Sequence, residues 1–307
     1  MPALNVSRQL LINAPVEKVY HNIFDLSEWV QWSPWLIMDR TTKVNVSADK
    51  RSYDWESKRI GSGNMKVVDH EENKSVKYDL NFLKPYKSHA DVTMTVSATN
   101  EGTLVTWSLA SSLPFFLFFM KKSMEAFIDN DFERGLRMLK DWTEDAAVHS
   151  QLNYTGFGEY AGCQYIGMKR SCTTADASNF MTQDFTKLMG DCRGNENTNA
   201  AACFCIYHEW DLIKGKVTYT AGVPVHSMPN PLPEGYISGT IPATKTYTLQ
   251  HLGSYNHLGN AWATLYAMMR NKEFKLRKGI DAFETYGNSI RDTHPNELIT
   301  NIHFPVV

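Results

Sequence analysis

Long apolar segments, a dominant charge sign and cysteine pairs at metal-binding spacing are all missing from this 307-residue chain. Thirty-one Lys and Arg stand against 33 Asp and Glu, a net charge of -2. That balance argues against a broad basic surface for nucleic acid. No helix-turn-helix segment or basic arm is visible either, so direct nucleic-acid binding is not expected. The five cysteines, Cys163, Cys172, Cys192, Cys203 and Cys205, are odd in number, and their only close pair is C-x-C. Reduced thiols in a cytoplasmic protein are the plain reading; no metal and no cofactor are expected. Met1 to Asn5 show no charged-then-apolar signal pattern. The most apolar run, Leu113 to Met120 (L-P-F-F-L-F-F-M), is far too short to span a bilayer, which argues against stable membrane insertion. Core or pocket lining, Phe115 included, is preferred there over contact with a membrane surface.

What is present is enough chain for two domains, with 43% hydrophobic and 21% charged residues, a globular balance. In residues 1–148, Gln9 to Ile12 reads as a strand. Asn13-Ala14-Pro15 then starts a helix, with Asn13 as its cap. Trp29-Val30-Gln31-Trp32-Ser33-Pro34-Trp35 follows. Strands are expected at Ser52 to Ser57, Gly63 to Glu71, Ser75 to Leu83, Ala90 to Ala98 and Thr103 to Leu109, separated by Gly, Asn and Pro turns. A long helix at about 119 to 147 carries Met120, Met124, Ile128, Phe132, Leu136, Leu139 and Trp142 as one apolar stripe. This is an α+β layout, a curved antiparallel sheet gripping a helix across a cavity. Trp32, Trp35, Trp55 and Trp107 are candidate ligand contacts there, against the plainer reading of core and cavity wall. Asp54, Glu56, His70, Asp79, His89 and Asp91 form no acid–base pair by spacing, so no catalysis is assigned to this half.

The order of elements, I-N-A-P-V-E-K-V-Y at 12–20, W-V-Q-W-S-P-W at 29–35 and the F-x-x-G-L-x-x-L-K pattern at 132–140 resemble the SRPBCC or START-like helix-grip superfamily. The polyketide cyclase/dehydrase-like branch is most similar. The resemblance implies a fold more than a function, because the superfamily hosts lipid carriers, receptors, cyclases and other binders.

Residues 153–307 read as a second domain, with Asn153 to Gly158 ending a linker and Glu159 to Thr173 forming one strand. A helix is expected at about Asp176 to Met189, a polar loop at Cys192 to Asn199, and strands at 201–210 and 215–223. The pattern repeats as a strand at 242–251, a helix at Tyr255 to Asn271, and strands at 281–287 and 298–306. Phe204-Cys205-Ile206-Tyr207 lines up with Phe283-Glu284-Thr285-Tyr286, and Val223-Pro224-Val225 with Phe304-Pro305-Val306. Two βαββ units about a pseudo-two-fold axis would set Cys205 opposite Glu284 and make Tyr207 the mirror of Tyr286. Alternation along a strand turns Glu284 and Tyr286 one way, and Phe283 and Thr285 the other.

This layout and H-L-G-S-Y-N-H-L-G-N-A-W-A-T-L-Y at 251–266 resemble the GyrI-like effector-binding domain, also found in AraC-type and multidrug-sensing regulators. The chain departs from that family at Gly287 to Asp292, where a shorter turn is usual, and shows no DNA-binding module. The resemblance implies a groove for lipophilic, often cationic, small molecules, with Glu284 as counter-charge. Tyr286, Tyr207, Trp210 and Trp262 are candidate walls, though core positions are the bland reading of Tyr286 and Trp262. Three functions follow: a sensor, carrier or sequestering protein; a hydrolase using Glu284 as general acid/base; or a protein-interaction module of the gyrase-inhibitor type. An inert buried thiol is the preferred reading of Cys205.

Overall fold

The computed structural model describes residues 3–192 and 195–307, and absences and counts below refer to these residues. They form two compact units, Met1–His149 and Ser150–Val307, each α+β.

The first unit runs β1 (Ala3–Ile12), α1 (Val16–Phe24), α2 (Leu26–Trp32), β2 (Lys43–Val46), β3 (Ser52–Ser57), β4 (Gly61–Glu71), β5 (Ser75–Lys84), β6 (Ser88–Thr99), β7 (Gly102–Ser112) and α3 (Lys121–Asp145). Its seven strands make one antiparallel sheet in the order β1-β7-β6-β5-β4-β3-β2. Strand alternation is plain in β7, where Thr103, Val105, Trp107 and Leu109 are buried and the residues between them are not. α3 turns Phe132, Leu136 and Leu139 onto this face, and Phe132 stacks on Trp107 at 4.1 Å between ring centroids. Gly135 permits that approach: a Cβ there would lie 2.6 Å from the Trp107 ring and 3.0 Å from Pro34.

Two expectations for this unit are corrected. Asn13 does not cap α1, whose N-cap position is Pro15. The Asn13 amide, one residue past the end of β1, instead donates to Glu144 of α3 at 2.6 Å. In the run Leu113 to Met120 only Leu113 is buried. Phe115, Phe116, Phe118 and Phe119 are 60–77% exposed on a short 3-10 helix, Phe115–Met120. Core places at this end are already filled by Leu109 and Leu113.

The second unit runs β8 (Ser150–Tyr160), β9 (Cys163–Thr173), α4 (Ala177–Cys192), β10 (Phe204–Asp211), β11 (Lys216–Val225), β12 (Ile237–Ile241), β13 (Thr244–Gly253), α5 (Gly259–Arg270), β14 (Phe283–Tyr286) and β15 (Ile299–Pro305). Its eight-stranded sheet has the order β12-β9-β11-β10-β14-β15-β13-β8. Equivalent strands meet in mirrored order from the two edges, so the duplication is real. Each repeat is longer than expected, however, because it opens with a further strand that pairs with the other repeat: β8 with β13, and β12 with β9. The predicted linker 153–158 therefore belongs to β8. The predicted strand Glu159 to Thr173 is broken at Gly162, whose φ is +80° and whose added Cβ would meet Ala243 N at 2.6 Å. β8 and β12 are edge strands, which carry little apolar signal. Of the predicted loop 192–199, residues 193 and 194 lie outside the described positions.

Candidate functional site

β10 and β14 lie side by side at the centre of the second sheet, with Phe204 paired to Thr285, Cys205 to Glu284 and Ile206 to Phe283. The pseudo-two-fold axis therefore passes through the Cys205–Glu284 pair. Both residues are buried, Cys205 at 0% and Glu284 at 1% exposure. Alternation turns Phe283 and Thr285 to the opposite face, where His303 stacks on Phe283 and hydrogen-bonds Thr285 at 2.9 Å.

Glu284 is held by three donors. The Trp262 indole N–H, from α5, gives its proton to Oε1 at 2.6 Å. The Tyr207 and Tyr286 hydroxyls donate to Oε2 at 3.0 and 3.1 Å, one from each side of the axis. Burial pushes the carboxyl up to about 7, and the three hydrogen bonds hold it from rising further. No lysine, arginine or histidine pairs with Glu284 among the described residues.

Rings surround these donors. Tyr207 lies 5.1 Å from Trp262 and 5.7 Å from Trp210; Tyr286 lies 5.5 Å from Phe185 of α4 and 6.0 Å from Tyr255. Met181 Sδ stands 4.0 Å from the Tyr207 hydroxyl. Trp210 is 47% exposed and Tyr255 36%, so the outer rings reach solvent while the carboxylate does not. The result is an uncompensated acid, satisfied in hydrogen bonds, beneath an aromatic wall between α4 and α5. Cys205 offers no rival chemistry, because burial raises its thiol well above the usual range.

The structure thus brings together Glu284, Tyr286, Tyr207, Trp262 and Trp210. Sequence reasoning missed Tyr255, Phe185 and Met181. Tyr255 lies inside the 251–266 motif, while Phe185 and Met181 sit on α4, where an apolar residue reads as helix packing. The buried acid Asp184, bound by Arg170 and Tyr219, was missed too, since a lone Asp in an amphipathic helix reads as solvated.

In the first unit Trp35, Trp55 and Trp107 line a cavity of about 40 Å³ with Ile60, Phe82 and Phe132. That volume is far below the several hundred Å³ usual for a drug-sized ligand. Trp32 is corrected to core: it packs 4.3 Å from Trp29 and donates to the Asn22 carbonyl at 3.2 Å. Phe115 is corrected to surface, 77% exposed and outside the cavity lining. His21, Asp25 and Glu28 bring ligand atoms within 4.8 Å of one another. Lys50 occupies Asp25, and the Trp142 indole occupies Glu28, so this group makes a poor metal site.

Residues 3–144 match the family model for polyketide cyclase / dehydrase and lipid transport, and residues 162–307 match that for the GyrI-like small molecule binding domain. The chain joins a polyketide cyclase-like domain to a GyrI-like domain. Glu284 and its ring cage lie wholly in the GyrI-like domain. No curated protein matches the chain. Among solved structures it is similar to the EcmrR C-terminal domain, at 19% identity over 52% of this chain and 98% of that one, with a TM-score of 0.43. It is also similar to SAV2435 bound to tetraphenylphosphonium, at 17% identity over 50% and 94%, TM-score 0.41. A third is a bacterial transcription regulation protein from Staphylococcus aureus MU50, at 17% identity over 51% and 99%, TM-score 0.36. No described helix is long and apolar enough to cross a membrane.

Proposed function

We propose that the GyrI-like domain captures a lipophilic cation between α4 and α5, with Glu284 as counter-charge, and that the protein serves as a sensor, carrier or sequestering agent. The observation that carries this reading is the buried, hydrogen-bonded Glu284 carboxylate with no cationic partner. An ion left unpaired inside a protein costs several kcal/mol; here half of the molecules carry the proton at neutral pH, which relieves only about 0.4 kcal/mol of that cost. An arriving cation would restore the charged form, and each ring it faces would add about 0.5–2 kcal/mol. Because Glu284 is only 1% exposed, entry requires displacement of the rings over it. Trp210 and Tyr255, the most exposed of them, are the side chains expected to move.

The test is titration of tryptophan fluorescence with tetraphenylphosphonium. With a carboxyl titrating near 7, affinity should rise about tenfold between pH 6 and pH 8, as the ionised fraction does. Glu284→Gln should bind at least tenfold more weakly and lose the pH dependence. Equal affinity in that variant removes the assignment.

A second reading is favoured by one observation: an acid titrating near 7 suits general acid/base work at neutral pH. It predicts turnover of esters or strained electrophiles that disappears in Glu284→Gln. Turnover that persists in that variant rejects it.

A further inference from the structure

We propose that the aromatic ridge Phe115–Met120, with the lysines around it, docks this protein on an anionic lipid bilayer. The ridge is a 3-10 helix, with three residues per turn. Phe115 and Phe118 therefore share one side, their ring centroids 6.1 Å apart. Phe116 and Phe119 share the next side. Leu113 is buried and Leu117 half-buried, which fixes the segment to the domain while four phenyl rings stand out at 60–77% exposure. Met120 extends the apolar surface, and Phe127, two turns along α3, is 52% exposed.

An exposed apolar cluster of this kind on a soluble domain marks an interaction surface. Two features select a lipid surface as its occupant. First, the rings project on more than one side of a narrow helix, so they form a convex wedge. A bilayer interface accepts a wedge by insertion, whereas a protein would need a matching groove. Second, the surroundings are basic. Lys121 and Lys122 follow the ridge directly. Strand register brings the β5–β6 turn to the same end of the sheet, since Lys84 pairs with Ser62 and Ala90 with Ser111. That turn presents Lys84 and Lys87 on either side of Tyr86, which is 82% exposed. Of the acids at this end, Glu56 and Glu125 each face a lysine at 3.6 Å, and Asp79 and Asp91 face His89 at 2.6 and 3.8 Å. Rings set at the acyl boundary under lysines at headgroup level are the arrangement that binds anionic membranes.

The inference is independent of Glu284. Its test is co-sedimentation of the full chain with phosphatidylcholine vesicles containing about one-third phosphatidylserine, against phosphatidylcholine alone. The full chain should pellet with the anionic vesicles and be released by salt. Phe116→Ser/Phe119→Ser should lower partitioning about tenfold or more. Lys121→Gln/Lys122→Gln should lower it by about fivefold per lysine and weaken the salt dependence. Both variants should melt close to the wild type, because Phe116, Phe119 and Lys122 face solvent and Lys121 gives up only a surface pair with Glu125. Three results would overturn the proposal. In the first, the full chain stays in the supernatant; in the second, the phenylalanine variant pellets as well as wild type. In the third, wild type forms dimers that the phenylalanine variant abolishes, without binding lipid.

Discussion

In the first repeat of the GyrI-like domain the buried acid is Asp184, on α4. Arg170 of β9 grips it with two guanidinium nitrogens, Nε at 2.8 Å, and Tyr219 adds its hydroxyl at 2.7 Å. In the second repeat the buried acid is Glu284, on the central strand, and two tyrosines and a tryptophan supply the hydrogen bonds without any positive charge. Both carboxylates are 1% exposed and both are fully engaged, so burial alone does not tell them apart. Charge balance does. Asp184 is neutralised by its own repeat and fixes α4 on the sheet. Glu284 sits on the symmetry axis, where the residue opposite it is Cys205 and the partner strand adds only the neutral Tyr207 hydroxyl. A duplicated fold has paired one buried acid with a cation and given the other neutral donors alone.

The largest break in that comparison should come from the structural acid. Arg170→Met would leave Asp184 buried without its counter-ion, and loss of one partner of a buried pair costs about 3–5 kcal/mol. Denaturant unfolding of the variant would measure this. A loss below about 1 kcal/mol would mean that Arg170, itself half-exposed, adds no more than a surface pair does.

Glu284 should reveal itself by its pH profile. Its folded value of about 7 lies above the ordinary 4.5, so the folded state holds the proton more tightly than the unfolded one. Stability from this group is therefore complete below about 4.5 and declines as pH climbs toward and past 7. The full decline is roughly 3 kcal/mol. Glu284→Gln, which mimics the protonated form, should flatten it. Ligand-free melts at pH 5 and pH 8, wild type against variant, give the comparison. Parallel profiles for the two proteins would show that Glu284 is ionised throughout.

Much of this contrast could be read from the chain before any coordinates. The pairing of Phe204-Cys205-Ile206-Tyr207 with Phe283-Glu284-Thr285-Tyr286 placed Cys205 opposite Glu284 and made Tyr207 the mirror of Tyr286, because strand register carries residue identity directly into space. The core strands and α3 were legible for the same reason: their apolar periods, as in Phe132, Leu136 and Leu139, point at one face. Edge strands were not. β8 and β12 need apolar residues on little of their surface, so Asn153 to Gly158 passed for a linker. The aromatic run at Phe115 was misplaced because hydrophobicity alone argues for burial, and whether the core still has room is a tertiary fact. Arg170, Asp184 and Tyr219 come from three elements, and no local spacing links them.

Cys205 offers a smaller test of the axis. Replacing it with alanine removes one buried sulfur, worth about 1 kcal/mol by analogy with single-methylene deletions. Cation affinity should not change, since the charge belongs to the other strand. A thiol that took part in chemistry would announce itself here by loss of turnover in Cys205→Ala.

The finest comparison is between the two tyrosines. Tyr207 and Tyr286 reach the same oxygen of Glu284 at nearly equal distance from mirrored positions. Each phenylalanine variant keeps its ring and drops one hydrogen bond to a carboxylate, so each should cost about 1–2 kcal/mol above pH 7, where Glu284 is charged. The costs should agree within about 0.5 kcal/mol, because one acceptor serves both. Below pH 6 both should shrink, as protonation removes the charge that strengthens the bonds. The double variant should cost more than the sum, since Oε2 then keeps no donor in a buried site. Urea midpoints at pH 5.5 and pH 8 for the three variants measure all of this. Unequal single costs would place the working asymmetry in the tyrosines and their neighbours Trp210 and Tyr255, instead of in the acid alone.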